Sequence, residues 1–340
     1  MRILLPSRWP LLALLVFTPA IPELLTGSTP IGSIAFDPVG FVIDYAFLLG
    51  LYGAGALLVR EFAVYFHKGW ASILLLGGAY GILEEGFAVH TFFQPSGSPV
   101  DALAVFGHAG GVNWLWALGI SAFHATYSIA LPILLVGLWF PEVRTARWFD
   151  SGGLAVIGLI YLATVVVFST HERFAPRAGL SLFFLAVVAV LIALAWRAPA
   201  DLLSVRAGAS RAGKWPLILI GTVGFDAWLL LLALASARTL PAPIVGGLLV
   251  AINLGVLAFL LVRVGSTDLE RSEFYFATGM LIALWVWDVP VDLWVPGILG
   301  VAAGSAYLQY RLGRRIAARD VLDPGRSAPG GPDALPPAPR

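Results

Sequence analysis

The run Leu74–Phe93 reads LLLGGAYGILEEGFAVHTFF. Its only charged residues are Glu84 and Glu85. At a helical rise of about 1.5 Å per residue it covers ~30 Å, the thickness of a bilayer's hydrocarbon core. It has no polar face that a helix of a soluble protein would turn to water, so lipid is its natural solvent. Working outward, nine more runs of the same kind appear, giving ten candidate spans at about 9–25, 39–59, 70–93, 112–140, 152–170, 178–196, 216–236, 241–262, 274–291 and 293–310. The fold class this implies is all-α: a polytopic transmembrane helix bundle.

Composition points the same way. The 340 residues are 59% hydrophobic and 12% charged, against about 25% charged in soluble domains. Mean hydropathy is +0.87. A net charge of +1 without a basic face argues against a nucleic-acid partner. No cysteine is present, which excludes disulfides, thiolate metal sites and a cysteine nucleophile.

The basic residues set an orientation. With ten spans and both termini cytoplasmic, the inside pieces hold 18 of the 21 lysines and arginines. The outside loops hold only Arg173, Arg177 and Arg238, a strong positive-inside bias. The expected location is the cell (plasma) membrane. Segment one also reads as a signal peptide, with Arg2 and Arg8 before Leu11–Phe17 and a small residue at Ala20, although its apolar character resumes at Leu24 and Leu25. Residues 1–319 form the expected transmembrane domain. Residues 320–340 form an expected disordered cytoplasmic tail, since Pro324–Arg340 holds six prolines and three glycines in seventeen residues.

Ionisable residues at membrane depth are expensive, so each is a functional candidate. The set is Asp44, Glu84, Glu85, His124, Asp226 and Asp288, with Asn253 as a neutral companion. Glu84 and Glu85 stand out, because two adjacent carboxylates in one span cost more than one. Counted from the ends of their spans, Glu84 lies about 15 Å deep and His124 about 18 Å deep, on consecutive antiparallel helices. On a straight helix Asn113, His124 and Ser128 form one polar stripe flanked by Tyr127, and Tyr80, Glu84, Phe87 and Thr91 share a face. Glu85 is expected about 100° away, along Gly78 and Gly81, where small residues permit close helix approach. His90 is the poorer partner for Glu84, and Pro132 is a candidate kink. Asp44 falls near the outer end of its span, where water reaches it. A plain reading also fits the cluster: buried Glu–His pairs tie membrane helices together for about 0.6 kcal/mol each.

A doubled glutamate on one membrane helix, followed by a histidine helix, resembles the intramembrane protease superfamily that includes the CAAX-processing and bacteriocin-processing enzymes, with more distant PrsW-type and APH-1-type relatives. The resemblance implies that Glu84 activates water and that His124 and Ser128 match the later His-xxx-Asn/Ser element. Val89 stands where that pattern has an arginine, Ser128 stands for the usual asparagine, and the Phe-xxx-His element is missing in that register. The segments PELLTGSTP (Pro22–Pro30), VREFA (Val59–Ala63), YGILEEG (Tyr80–Gly86) and GVNW (Gly111–Trp114) also resemble an uncharacterised family of prokaryotic membrane proteins.

Three functions follow as expectations. A hydrolase would use Glu84 as general base, Glu85 and His124 as orienting or proton-transferring groups, and Asn113 as an oxyanion donor. Its substrate would be a membrane-embedded peptide or a small molecule. A proton- or cation-coupled transporter would string Glu84, Glu85 and Asp226 or Asp288 along a path. A scaffold would hold isolated, satisfied pairs. No cofactor is expected; a divalent metal on His124 and the glutamates has weak support, because no three ligands show zinc-like spacing. A compact closed polar cluster favours hydrolysis, whereas a path to both faces favours transport.

Overall fold

A computed structural model describes residues 3–5, 7–94, 106–172, 176–236, 239–291 and 293–322, with the backbone alone at 226, 229, 232, 233, 235, 236, 287–289 and 291. Ten helices make up most of these residues. They are α1 (Trp9–Leu24), α2 (Pro38–Tyr65), α3 (Trp70–Ala88), α4 (Trp114–Trp139) and α5 (Ser151–His171). Then come α6 (Ala178–Arg197), α7 (Lys214–Ser236), α8 (Ala242–Arg263), α9 (Leu269–Val291) and α10 (Ile298–Leu322). Six of them, α2 to α6 and α8, are long and apolar enough to cross a membrane. The chain is a mostly helical multi-pass membrane protein.

Side-chain caps fix where several helices begin. Asp37 accepts from the Gly40 amide at 2.8 Å ahead of α2, with Pro38 in the first turn. Asp150 accepts from Gly153 at 2.7 Å ahead of α5. Asn113 accepts from Trp116 at 3.1 Å ahead of α4. Asn113 also pairs with His108 in a two-stranded antiparallel ladder, β1 (His108–Ala109) with β2 (Val112–Asn113).

Helix α3 packs between α4 and α6, and α9 packs along α7. Helices α5, α6 and α8 bury few residues and expose Leu159, Leu162, Leu182 and Leu254, as lipid-facing helices should. Helix α1 belongs to the core: Leu11, Leu14 and Thr18 are buried, and upstream of it the Leu4 amide bonds Trp148 O at 2.8 Å.

At the other end, α10 runs on to Leu322, so residues 320–322 are helical where a tail was expected to begin. Ion pairs hold this end: Arg271 with Asp320, and Arg319 with Glu270. The remainder of the expected tail, 323–340, lies outside the described residues.

Four stretches depart from α geometry into π-helix: Ala20–Leu24, Leu49–Gly53, Glu84–Ala88 and His124–Ala130. Their i→i+5 bonds include Leu25 N to Ala20 O at 3.0 Å and Val89 N to Glu84 O at 2.9 Å. Each contains or adjoins a helix-breaking residue: Pro22, Gly50 with Gly53, Gly86, and Pro132. Pro132 has no N–H, which frees the Ser128 carbonyl one turn back; the π segment takes up the change without a break in α4.

Candidate functional site

The four π segments converge. Glu23 comes from the first, Tyr52 from the second, Glu84 and Glu85 from the third, His124 and Ser128 from the fourth. Such bulges recur at functional sites because one extra residue per turn re-aims side chains.

His124, 2% exposed, is the centre. Its Nε2 lies 2.9 Å from Glu85 Oε1. Its Nδ1 lies 2.9 Å from Ser128 Oγ, one turn along α4, and 3.1 Å from Glu84 Oε2. A ring nitrogen directs one hydrogen or lone pair in the ring plane, and at Nδ1 that direction serves Ser128. Glu84 Oε2 is within ion-pair distance but off this line, and among the described residues no hydrogen bond reaches it. Glu85 differs: its Oε2 accepts from the Thr91 hydroxyl, which in turn accepts from Trp116 Nε1 at 3.0 Å.

The cluster has a third carboxylate. Tyr52 Oη donates to Glu23 Oε1 at 2.6 Å, and Thr29 Oγ1 donates to Glu23 Oε2 at 2.7 Å. The Tyr52 ring centroid lies 6.0 Å from that of His124, so Tyr52 joins Glu23 to the centre. Tyr80, also 6.0 Å from His124, and Tyr161 on α5 complete the wall, and neither hydroxyl has a hydrogen-bond partner among the described residues. Glycine makes the assembly fit. A Cβ at Gly81 would meet His124 Cβ at 2.9 Å, and one at Gly77 would meet Ala125 Cα at 2.8 Å.

Several expectations need correcting. Glu85 does not point away from Glu84's partner: the imidazole sits between the two carboxylates and the π turn re-aims them, so both face it. The glycines that admit α4 are Gly77 and Gly81, while Gly78 meets only Leu191, at 3.9 Å. Helix α3 ends at Ala88, not near Gln94, so Glu84 lies about one turn from the helix end; Phe92 and Phe93 fold back as buried cover. Asn113 does not join the cluster. It caps α4, and its amide bonds Phe92 O at 2.9 Å. Eleven residues separate it from His124, about 16 Å along the helix. The stripe of Asn113, His124 and Ser128 thus reduces to its last two members.

The other polar residues lie apart. His90 meets Ser169 on α5 at 3.1 Å. Asp44 is exposed, and Asn253 is exposed and donates to Leu249 O at 2.8 Å. The side chains of Asp226 and Asp288 lie outside the described residues.

Two groups escape the sequence reading. Glu23 is an acid inside an apolar segment and satisfies the rule that picks out Glu84; the prolines around it draw attention away. Arg60 and Glu61 form a buried ion pair at the end of α2, where sequence counts Arg60 only as a cytoplasmic charge.

Glu84, Glu85 and His124 each offer a ligand atom, and these atoms lie within 4.8 Å of one another, a spacing that fits a metal ion. The arrangement can also hold and move protons, since an imidazole stands between two carboxylates. No curated protein and no solved structure matches this chain. A family model described as an uncharacterized membrane protein family matches residues 11–318, and the chain belongs to that family.

Proposed function

We propose that the chain is a glutamate-dependent hydrolase acting within the bilayer, with Glu84 as the carboxylate that activates water and Glu85 and His124 as its orienting partners. One observation carries this reading: the two carboxylates are used differently. Glu85 is held on both oxygens, by His124 and Thr91, whereas Glu84 keeps a buried oxygen beside His124 with no hydrogen-bond partner among the described residues. A water placed there would find a base and an imidazole within reach.

The direction of the polar groups favours hydrolysis over transport. From His124 they continue through Tyr52 and Glu23 to Thr29, and then to the partly exposed Thr26 and Ser28 in the loop after α1. Toward the opposite end of α3 and α4 the buried residues next to the cluster include Ile73, Leu76, Leu131 and Leu135, and the buried polar side chains farther on are engaged locally, Ser72 with Ala195 O at 2.8 Å and Arg60 with Glu61. A run of polar groups leading toward one side suits a site served from that side better than a path through the membrane. The substrate class is a membrane-embedded peptide or an apolar small molecule with a hydrolysable bond. The test uses the purified chain in lipid vesicles with a mixture of membrane-embedded peptides in heavy-oxygen water. New carboxyl termini carrying the heavy oxygen are the expected products; no such product from any peptide, ester or amide probe would sink the reading.

The topology that goes with this is ten spans in the plasma membrane with both termini cytoplasmic, supported by the 18 to 3 division of basic residues. The run of polar groups from His124 to Thr29 then leads toward the outside. Reporters fused after Gln94 and after Ser210 should report outside and inside respectively, and the same side for both would remove the arrangement.

A further inference from the structure

Glu23, Glu84 and Glu85 bring three carboxylates into one cluster, Glu84 and Glu85 buried and Glu23 partly so, whose ion pairs among the described residues are with His124 alone. A lysine or arginine would be the usual counter-charge at this depth, yet the buried Arg60 is committed to Glu61. Glu84 is 3% exposed, and its Oε2, 3.1 Å from His124 Nδ1, has no hydrogen bond among the described residues. A buried polar atom left this way is costly, more so when charged, unless something fills the gap.

We propose that Glu84, Glu85 and His124 bind one divalent transition-metal ion, of the zinc type, at the centre of this cluster. A dication facing Glu84, Glu85 and a neutral His124 brings the charge of that set to zero, as a low-dielectric site favours, while Glu23 stays outside it on the hydroxyls of Tyr52 and Thr29. The donor types suit zinc, cobalt or iron(II), which take imidazole together with carboxylate. The spacing is within reach of them. Bonds of about 2.0–2.1 Å in tetrahedral geometry set donors about 3.3 Å apart. His124 gives the ion one nitrogen, Nε2, which lies 2.9 Å from Glu85 Oε1; the three donor atoms lie within 4.8 Å of one another, so the Glu84 carboxylate, now 3.1 Å from Nδ1, must swing toward Nε2 by up to about 1.5 Å to complete the set.

A second layer is already in place. Ser128 Oγ engages Nδ1 at 2.9 Å and turns Nε2 toward Glu85 Oε1, while Thr91 fixes the other oxygen of Glu85. Outer hydrogen bonds of this kind orient the ligands and raise their basicity. Three protein ligands leave a fourth position, and water bound there becomes a nucleophile at neutral pH. The use of the ion rests on the hydrolase reading; its binding does not.

The test is metal binding to the full chain in detergent, after stripping with a chelator. Zinc titrated against a competing chelator should load at one ion per chain and raise the thermal unfolding midpoint. Cobalt should give the strong visible absorption of a four-coordinate site. Glu84→Gln and His124→Ala should abolish both signals. Ser128→Ala should keep the fold and weaken affinity by about 10–100-fold. His171→Ala, remote from the cluster, should change nothing. Sub-stoichiometric loading by the wild type, or loading unchanged in Glu84→Gln and Ser128→Ala, would overturn the proposal. Metal bound without hydrolysis would sink only the hydrolase reading. Hydrolysis that survives complete removal of metal would sink only the ion's part in the reaction; its binding stands or falls with the titration.

Discussion

Glu84→Gln is expected to lower hydrolysis by about 10²–10⁴-fold, the usual contribution of a general base, while the protein stays folded. Glutamine keeps the shape of the side chain but cannot take a proton or bring a full negative charge to water or metal. Among the described residues Glu84 Oε2 makes no hydrogen bond that the change would break; what is lost is its ion pair with His124, 3.1 Å away, and with it the desolvation cost of a buried charge. The unfolding midpoint should therefore stay at or above that of the wild type, as when a strained functional group is relaxed. Glu23→Gln is the contrast. An amide oxygen still accepts from Tyr52, and the amide nitrogen faces the Thr29 hydroxyl. That substitution should cost about 10-fold in kcat/KM or less, as expected of a group acting through another. Equal losses in the two variants would mean that activity depends on the summed charge of the cluster and not on Glu84. Full activity in Glu84→Gln would place the chemistry elsewhere.

Glu61→Ala is expected to cost about 3–5 kcal/mol of stability, the range for removing one partner of a buried ion pair. Glu61 is fully buried and paired with Arg60, and it also accepts from the Trp148 amide at 3.1 Å and the Phe149 amide at 3.4 Å. Arg60 reaches Val143 O at 2.8 Å and Arg144 O at 3.1 Å, and its guanidinium lies 3.9 Å over the Trp148 ring. The pair thus clamps the segment between α4 and α5. That segment in turn holds the N-terminal residues, because Leu4 bonds Trp148 and Ile3 bridges Phe149. Without the carboxylate, a guanidinium and two amides are left in a closed space. Equilibrium unfolding in detergent measures the loss, and faster proteolysis of the first ten or so residues should accompany it. Glu61→Gln keeps an acceptor for the amides and should lose less, about 1–3 kcal/mol. A Glu61→Ala protein within about 0.5 kcal/mol of wild type, the margin of an ordinary surface substitution, would show that the pair is offset by its own desolvation.

The choice of Glu84, Glu85 and His124 needs only the sequence, because a charged residue in lipid is costly wherever its helix points. Which way each side chain faces needs more. The expectation for Glu85 assumed 100° per residue, and the π turn Glu84–Ala88 invalidates that step where it matters. The same assumption placed Asn113 on a stripe with His124; the distance along α4 separates them, and the start of the helix has another use for an asparagine. Glu23 shows the opposite failure. Its segment reads correctly as apolar, but nothing local announces that Tyr52, twenty-nine residues on, donates to it.

Sequence alone determined that this protein is a helical membrane protein, where its apolar helices run, and that few ionisable residues lie inside them. These properties follow from the one-dimensional cost of placing each side chain in hydrocarbon, which is additive along the chain. Tertiary structure alone decided that Glu23 and Tyr52 join Glu84, Glu85, His124 and Ser128, that Asn113 does not, and that one glutamate is hydrogen-bonded on both oxygens while the other keeps an oxygen with no hydrogen bond among the described residues. Those outcomes depend on four π turns, and on Gly77 and Gly81 letting two backbones approach closely. Close approach is a property of pairs of helices, and no single segment of sequence encodes it.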